Sequence, residues 1–291
     1  MSFHTLKQQI IKKSTLEFVE ASEQLEALIF SCSKEDLLDL VKEIGTIPEE
    51  IGHDSTEEKL YTKVSDIVFA KALDEIGYTV RVLRERADCA DIVAQSKYHN
   101  YSFVGDAKAF RLSRTAKNAK DFKVKSMVHW RGDCDYSVLA CPFFQYPKSS
   151  SQIYKEALDG NVSLFSWELL YILLKEGVVE TPDRCLKDLW NQSALIASRT
   201  HVDKAKINFL GTQNENIREI LKVSEKTFEG YFSEIKKSLI NRGGEEIKFY
   251  EFEIDRVNGL SREAAIEELL LSMKLHGKIE TIKTFVKQLE K

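Results

Sequence analysis

Residues 89–108 read CADIVAQSKYHNYSFVGDAK, and this stretch decides the fold. Two β-prone runs, Asp91–Ala94 and Tyr101–Phe110, flank the turn-like pair His99-Asn100, which predicts a hairpin. Side chains alternate across a strand, so Asp106 and Lys108 share one face and Ala107 points to the other. Pairing the two runs brings Asp91, separated from Asp106 by fourteen intervening residues, beside it. Two carboxylates and a lysine then converge on one point.

Working outward, the runs Thr79–Leu83, Tyr136–Phe144 and Ser163–Ser166 supply further strands, with helices over 150–158 and 167–176. Upstream, apolar residues from Leu6 to Ile29 recur at helical spacing over 4–30. Ser33-Lys34-Glu35-Asp36 and Ser55-Thr56-Glu57-Glu58 are capping boxes, opening helices that stop near Gly45 and at Gly77. From about 203 the chain reads as helix over 213–222, 224–241, 261–274 and 278–290, with Gly243-Gly244 as a break. The expected fold is α/β: a mixed central sheet flanked by helices, with helical N- and C-terminal segments. The expected division is a helical segment 1–54, a core 55–180 and a mostly helical region 181–291.

With 43% hydrophobic and 30% charged residues in 291, the chain has material for a real core, and global disorder is excluded. No apolar run approaches the roughly 18 residues of a membrane span. The first residues, with Lys7, Lys12 and Lys13, lack the apolar stretch of a signal peptide, so a cytoplasmic protein without membrane association is expected. Five cysteines without a Cys-x-x-Cys pair argue against a disulfide framework or zinc ribbon. Neither a phosphate loop nor Gly-x-Gly-x-x-Gly is present, so nucleotide hydrolysis and dinucleotide binding have no support. The six histidines form no metalloprotease or His-Asn-His nuclease pattern, and no amino-methyltransferase tetrapeptide occurs.

Paired carboxylates suit Mg²⁺, a hard cation that takes oxygen ligands and keeps several waters. Such a cation polarises a phosphodiester and activates water, and a neighbouring lysine orients the nucleophile or offsets charge. The Ala107 carbonyl is a candidate further ligand. The pattern Asp91-x(14)-Asp106-x-Lys108 is that of the PD-(D/E)xK nuclease superfamily, with Ala90 where proline would stand.

The next segment, 111–131, holds seven basic residues and one acid in a chain of net charge −4. Concentrated positive charge beside a metal-binding pattern is the footprint of a polyphosphate partner. Arg111, Arg114, Lys117, Lys120, Lys123 and Lys125 are candidate duplex contacts, while Asn118, Lys120 and Asp121 offer donors and acceptors suited to major-groove base edges.

The run from Gly105 to Lys125, GDAKAFRLSRTAKNAKDFKVK, closely resembles the HindIII-type type II restriction endonucleases. So do Ala140–Pro147, Leu164–Glu168, Ile44-Gly45, Ser55-Thr56, Glu58-Lys59-Leu60, Asp66-Ile67-Val68, Arg262–Leu270 and Lys278–Ile282. The likeness is strong from about 40 to 170 and weaker until 260. It implies a homodimeric, Mg²⁺-dependent enzyme, with Mn²⁺ a substitute, that cuts double-stranded DNA at AAGCTT after the first A. It also implies a companion DNA methyltransferase of the same specificity. By the family's motif Asp91 and Asp106 are metal ligands, Lys108 is the catalytic lysine, Glu58 is an additional carboxylate, and Asn118, Lys120 and Asp121 read bases. Arg84-Glu85-Arg86 departs from the family's pattern. The alternatives are a repair or resolvase-type nuclease with the same core, or a DNA-binding protein that does not cut.

Overall fold

The computed structural model describes residues 1–84, 89–114, 118–199 and 201–289. Helices α1 (Phe3–Lys13), α2 (Phe18–Phe30) and α3 (Lys34–Glu43) lead to the long α4 (Thr56–Ile76). Strands β1 (Tyr78–Val82), β2 (Ile92–Ser96) and β3 (Ser102–Ala107) follow. Then come α5 (Ala119–Phe122), α6 (Val124–Trp130), β4 (Tyr136–Cys141), α7 (Gln152–Gly160), β5 (Val162–Ser166) and α8 (Trp167–Lys175). The remainder is helical: α9 (Lys187–Trp190), α10 (Gln192–Arg199), α11 (Val202–Ala205), α12 (Phe209–Leu221), α13 (Glu225–Asn258), α14 (Arg262–Ser272) and α15 (Leu275–Leu289).

The five strands lie in sequence order in one sheet. β1, β2 and β3 form an antiparallel meander, and β3, β4 and β5 run parallel. Helical crossovers make the parallel half possible, since parallel neighbours need a connection that returns the chain to its starting end. Alternation sorts the sheet into two apolar layers. Ile92, Phe103, Val138 and Phe165 join a core with α1–α4 and α8, whereas Val104, Leu139 and Leu164 pack with α6, α7 and α10.

Two glycines set critical spacings. A Cβ on Gly105 would meet Ile92 Cγ1 at 2.7 Å and Phe69 Cε1 at 2.8 Å, so only glycine lets α4 press this closely on the hairpin. Gly77 ends α4 with φ +108°, a left-handed conformation that disfavours any side chain.

Both capping boxes cap their helices, with one difference. Ser33 and Asp36 cap reciprocally. Ser55 accepts from Glu58 N at 3.0 Å, but the Glu58 carboxylate returns to Asp54 N at 2.8 Å. Strand β3 ends at Ala107 rather than continuing to Phe110, because Phe110 leaves the sheet to bridge Thr46. The expected break at Gly243-Gly244 is absent. α13 runs through both residues, at a helix cost of roughly 1 kcal/mol each relative to alanine.

The chain forms two compact units, Met1–Arg242 and Gly243–Lys291. Residues 1–54 share the first unit's core with α4 and α8. In the second unit, Arg256 on α13 joins Glu268 on α14 (Nη1–Oε2, 3.0 Å), and no residue of α14 is buried. Among the described residues no helix is long and apolar enough to cross a membrane.

Candidate active site

The hairpin register delivers the first two acids. Ile92 pairs with Gly105, and Asp91 N donates to Gly105 O at 3.1 Å, so Asp91 stands beside Asp106 just past the ladder's end. Asp106 is 1% exposed, and its Oδ2 meets the Lys108 ammonium. Lys108 lies one residue beyond β3, yet its N–H still donates to Ala140 O at 2.7 Å, which holds it near the strand's line.

A third acid was missed by spacing arguments. Asp66, on α4, is 2% exposed, and its Oδ1 accepts from Ala107 N at 3.4 Å. Burial first, then the charges of Asp91 and Asp106, hold its carboxyl well above the usual carboxylate range. Burial, then the hydrogen bond and charge of Asp106, push Asp91 up to about 7. For Lys108, burial pulls downward, but Asp106, Asp91 and Asp66 outweigh it and keep the ammonium protonated. The signal for Asp66 was an acid inside the apolar run Val64–Ala70, where a buried charge needs a purpose.

Glu58 is not brought to this cluster. Arg111 takes it through Nη2 at 2.8 Å and Nε at 3.2 Å. Eight residues separate Glu58 from Asp66, which on a helix is about 12 Å along the axis and roughly 80° around it.

The basic segment is largely committed to the protein itself. Arg111 is 3% exposed and also donates to Pro48 O at 2.7 Å. Arg114 pairs with Asp121 at 2.7 Å and lies over the Phe110 ring. Asp121 also accepts from Asn118 N at 2.8 Å, so the two candidate base readers build the start of α5 together. Lys125 approaches Glu156 at 3.4 Å. Lys120 is exposed, and exposed Lys123, in a left-handed turn at φ 50°, lies 5.3 Å from the Trp130 ring centre. Lys117, Glu85 and Arg86 lie outside the described residues.

An open cleft of about 820 Å³ reaches the carboxylates, lined by Lys59, Lys63, Asp66, Asp91, Lys123 and Trp130 among others. Among the described residues no three acid, histidine or cysteine side chains form a ready-made metal cage. Mg²⁺ does not require one, since it commonly takes one or two carboxylates and completes its shell with water and substrate oxygens. The donors present fit such an ion. Buried Asp106 shares the single Lys108 ammonium with Asp91 and Asp66, so three acids face one lysine, an imbalance that a divalent cation would relieve. Burial and mutual repulsion favour protons on Asp91 and Asp66, and a bound divalent cation would take the place of those protons.

Comparisons with known proteins point to one family. The family model for the HindIII restriction endonuclease matches residues 6–286. The chain is 41% identical over 271 residues to the type II restriction enzyme HindIII of Haemophilus influenzae (strain ATCC 51907 / DSM 11121 / KW20 / Rd), covering 93% of this chain and 90% of that protein. A hairpin that pairs two aspartates beside a lysine, in a chain alike over nearly its whole length, places this protein in the HindIII restriction endonuclease family.

Proposed function

We propose that the protein is a type II restriction endonuclease acting in the cytoplasm as a homodimer, which hydrolyses double-stranded DNA at AAGCTT after the first A. The observation that carries this reading is the Asp91–Asp106 pair with Lys108 at the end of the β2–β3 hairpin. A palindromic target calls for a two-fold dimer with one site per strand. A methyltransferase of the same specificity would protect the host's own sites.

Asp91 and Asp106, with the Ala107 carbonyl, would hold Mg²⁺ (or Mn²⁺), which when bound polarises the phosphodiester and makes water a better nucleophile. Asp66, on α4, fixes the Ala107 N–H and so the end of β3. Lys108 acts as a charged ammonium, because three surrounding acids keep its proton on. It orients the attacking water by donating to it and offsets charge gathering on the phosphate oxygens. Attack in line with the 3′-oxygen leaves 5′-phosphate and 3′-hydroxyl ends. Lys120, Lys123 and Lys125 are exposed bases of the basic segment available to the duplex, while Arg111, Arg114 and Asp121 shape the segment that carries them.

The test uses a plasmid with one AAGCTT site and a control altered at one base pair, each with Mg²⁺ or with EDTA. The expected result is linearisation of the first plasmid alone, and only with Mg²⁺. Cutting at another discrete site would discard the target and keep the chemistry. Site-specific binding without cutting would overturn the nuclease reading.

A further inference from the structure

The nuclease reading so far leaves one side of the cleft without a task. α4 lines it with Thr56, Lys59, Thr62 and Lys63, leading down to Asp66. Thr56, Lys59 and Thr62 are exposed, and Lys63 is half-buried with its ammonium on Leu83 O at 2.6 Å. The Lys59 ammonium has no ion-pair or hydrogen-bond partner among the described residues, in contrast to most bases on 111–131. The Arg131 guanidinium, for example, is spent on Ser137 Oγ and the Asn161 carbonyl, both at 2.8 Å.

Position along the helix gives the ligand. Lys59 and Asp66 are seven residues apart, nearly two full turns, so they lie on one face about 10 Å apart along the axis. Duplex DNA advances about 3.4 Å per nucleotide of one strand. A phosphate held by Lys59 is therefore within a few nucleotides of the one held over the carboxylates. We propose that this exposed face of α4 is a second backbone clamp, with the Lys59 ammonium pairing with a DNA phosphate within a few nucleotides of the cut. The clamp rests on the nuclease reading and adds what that reading lacks, a sequence-independent grip beside the chemistry. Phosphate contacts of this kind set register and orientation and carry no base information.

The test measures affinity of the full-length protein for a short duplex with AAGCTT and for one without it, from 50 to 200 mM salt. Ca²⁺ replaces Mg²⁺ so that binding is read apart from cutting. Lys59→Ala should weaken binding about 3- to 10-fold on both duplexes. It should also make the slope of log affinity against log salt shallower by about 0.9, the loss of one phosphate contact. Lys59→Arg should restore both. An alanine variant that matches wild type in affinity and slope overturns the clamp while the nuclease reading stands. A loss confined to the AAGCTT duplex also overturns it, because Lys59 would then be reading bases. Wild-type protein that binds neither duplex overturns the nuclease reading and the clamp together.

Discussion

The indole N–H of Trp167 donates to the Lys108 carbonyl at 2.9 Å, so the first residue of α8 holds the backbone of the candidate catalytic lysine. Lys108 N is fixed from β4 through Ala140 O, and its carbonyl is fixed from α8. Phe69 of α4 meets the Trp167 ring edge-on at 6.0 Å, which ties both helices to the point where the chain leaves β3. Trp167→Phe keeps most of the packing and removes the donor. We expect stability to fall by about 1 kcal/mol, the usual net value of one hydrogen bond. Small misplacement of a catalytic group is costly, so kcat should drop about 10-fold while duplex affinity is unchanged. Single-turnover cleavage measured beside equilibrium binding separates the two.

Asp106→Ala should abolish cutting, by about 10³-fold or more, and leave duplex binding in place. Removing a ligand from a metal site forfeits several kcal/mol of charge stabilisation in the transition state. The measurement is plasmid cleavage beside a gel shift, with the fold checked by circular dichroism. Appreciable cutting by the folded variant would remove Asp106 from the mechanism.

The metal-free protein should lose stability as pH rises. Asp91 is raised from its ordinary range to about 7, and Asp66 is raised as well. A folded-state pKa above the unfolded value gives stability that is complete below about 3.9 and lost as pH climbs through about 7. With EDTA present, Tm should therefore fall between pH 5 and pH 8. Asp91→Asn should flatten that fall and exceed wild type in Tm at pH 8. Saturating divalent cation should raise wild-type Tm at pH 8, by roughly 2.7 kcal/mol of stability at 100 times Kd. It should do little for the asparagine variant.

Glu180 supports the other end of the meander. Fully buried, it accepts from Tyr78 Oη at 2.7 Å and Leu186 N at 3.1 Å, and also from the Ser96 and Tyr101 hydroxyls. Trp190 Nε1 donates to Tyr78 Oη at 2.7 Å and extends the network. Glu180→Ala strands several buried donors, so we expect a loss of at least about 3 kcal/mol. In a chain of this size that lowers Tm by roughly 6–12 °C. Because the network sits at the opposite end of β2 from Asp91, cleavage per folded molecule at low temperature should be unchanged.

These residues also show what a single sequence can and cannot disclose. The Asp91–Asp106 pairing was legible because both acids belong to one hairpin, where local spacing sets register. The five strands and the main helices were legible from periodicity and caps for the same reason. Asp66 reaches the site only because α4 packs against β2 and β3, a contact that depends on the missing side chain at Gly105. Glu58 was expected to be the extra carboxylate, yet its helix face turns it to Arg111, and charge type alone could not reveal that. The basic run announced a polyanion. Which of its bases stay available was decided by Asp121, Glu58 and Glu156, two of which lie far off in sequence.

The hairpin that pairs the aspartates also sets how this family can change length. Residues 97–101 form the connection between β2 and β3, and Tyr98 within it is 52% exposed. Insertions there lengthen a loop and leave both acids where they are, at a small entropic cost. One residue gained or lost inside Ile92–Ser96 or Ser102–Gly105 instead turns every following side chain to the opposite face. Asp91 and Asp106 would then look away from each other, with every ligand still in the chain. A single-codon indel in either strand is thus expected to be as damaging as losing an aspartate, whereas one at the tip is expected to be tolerated.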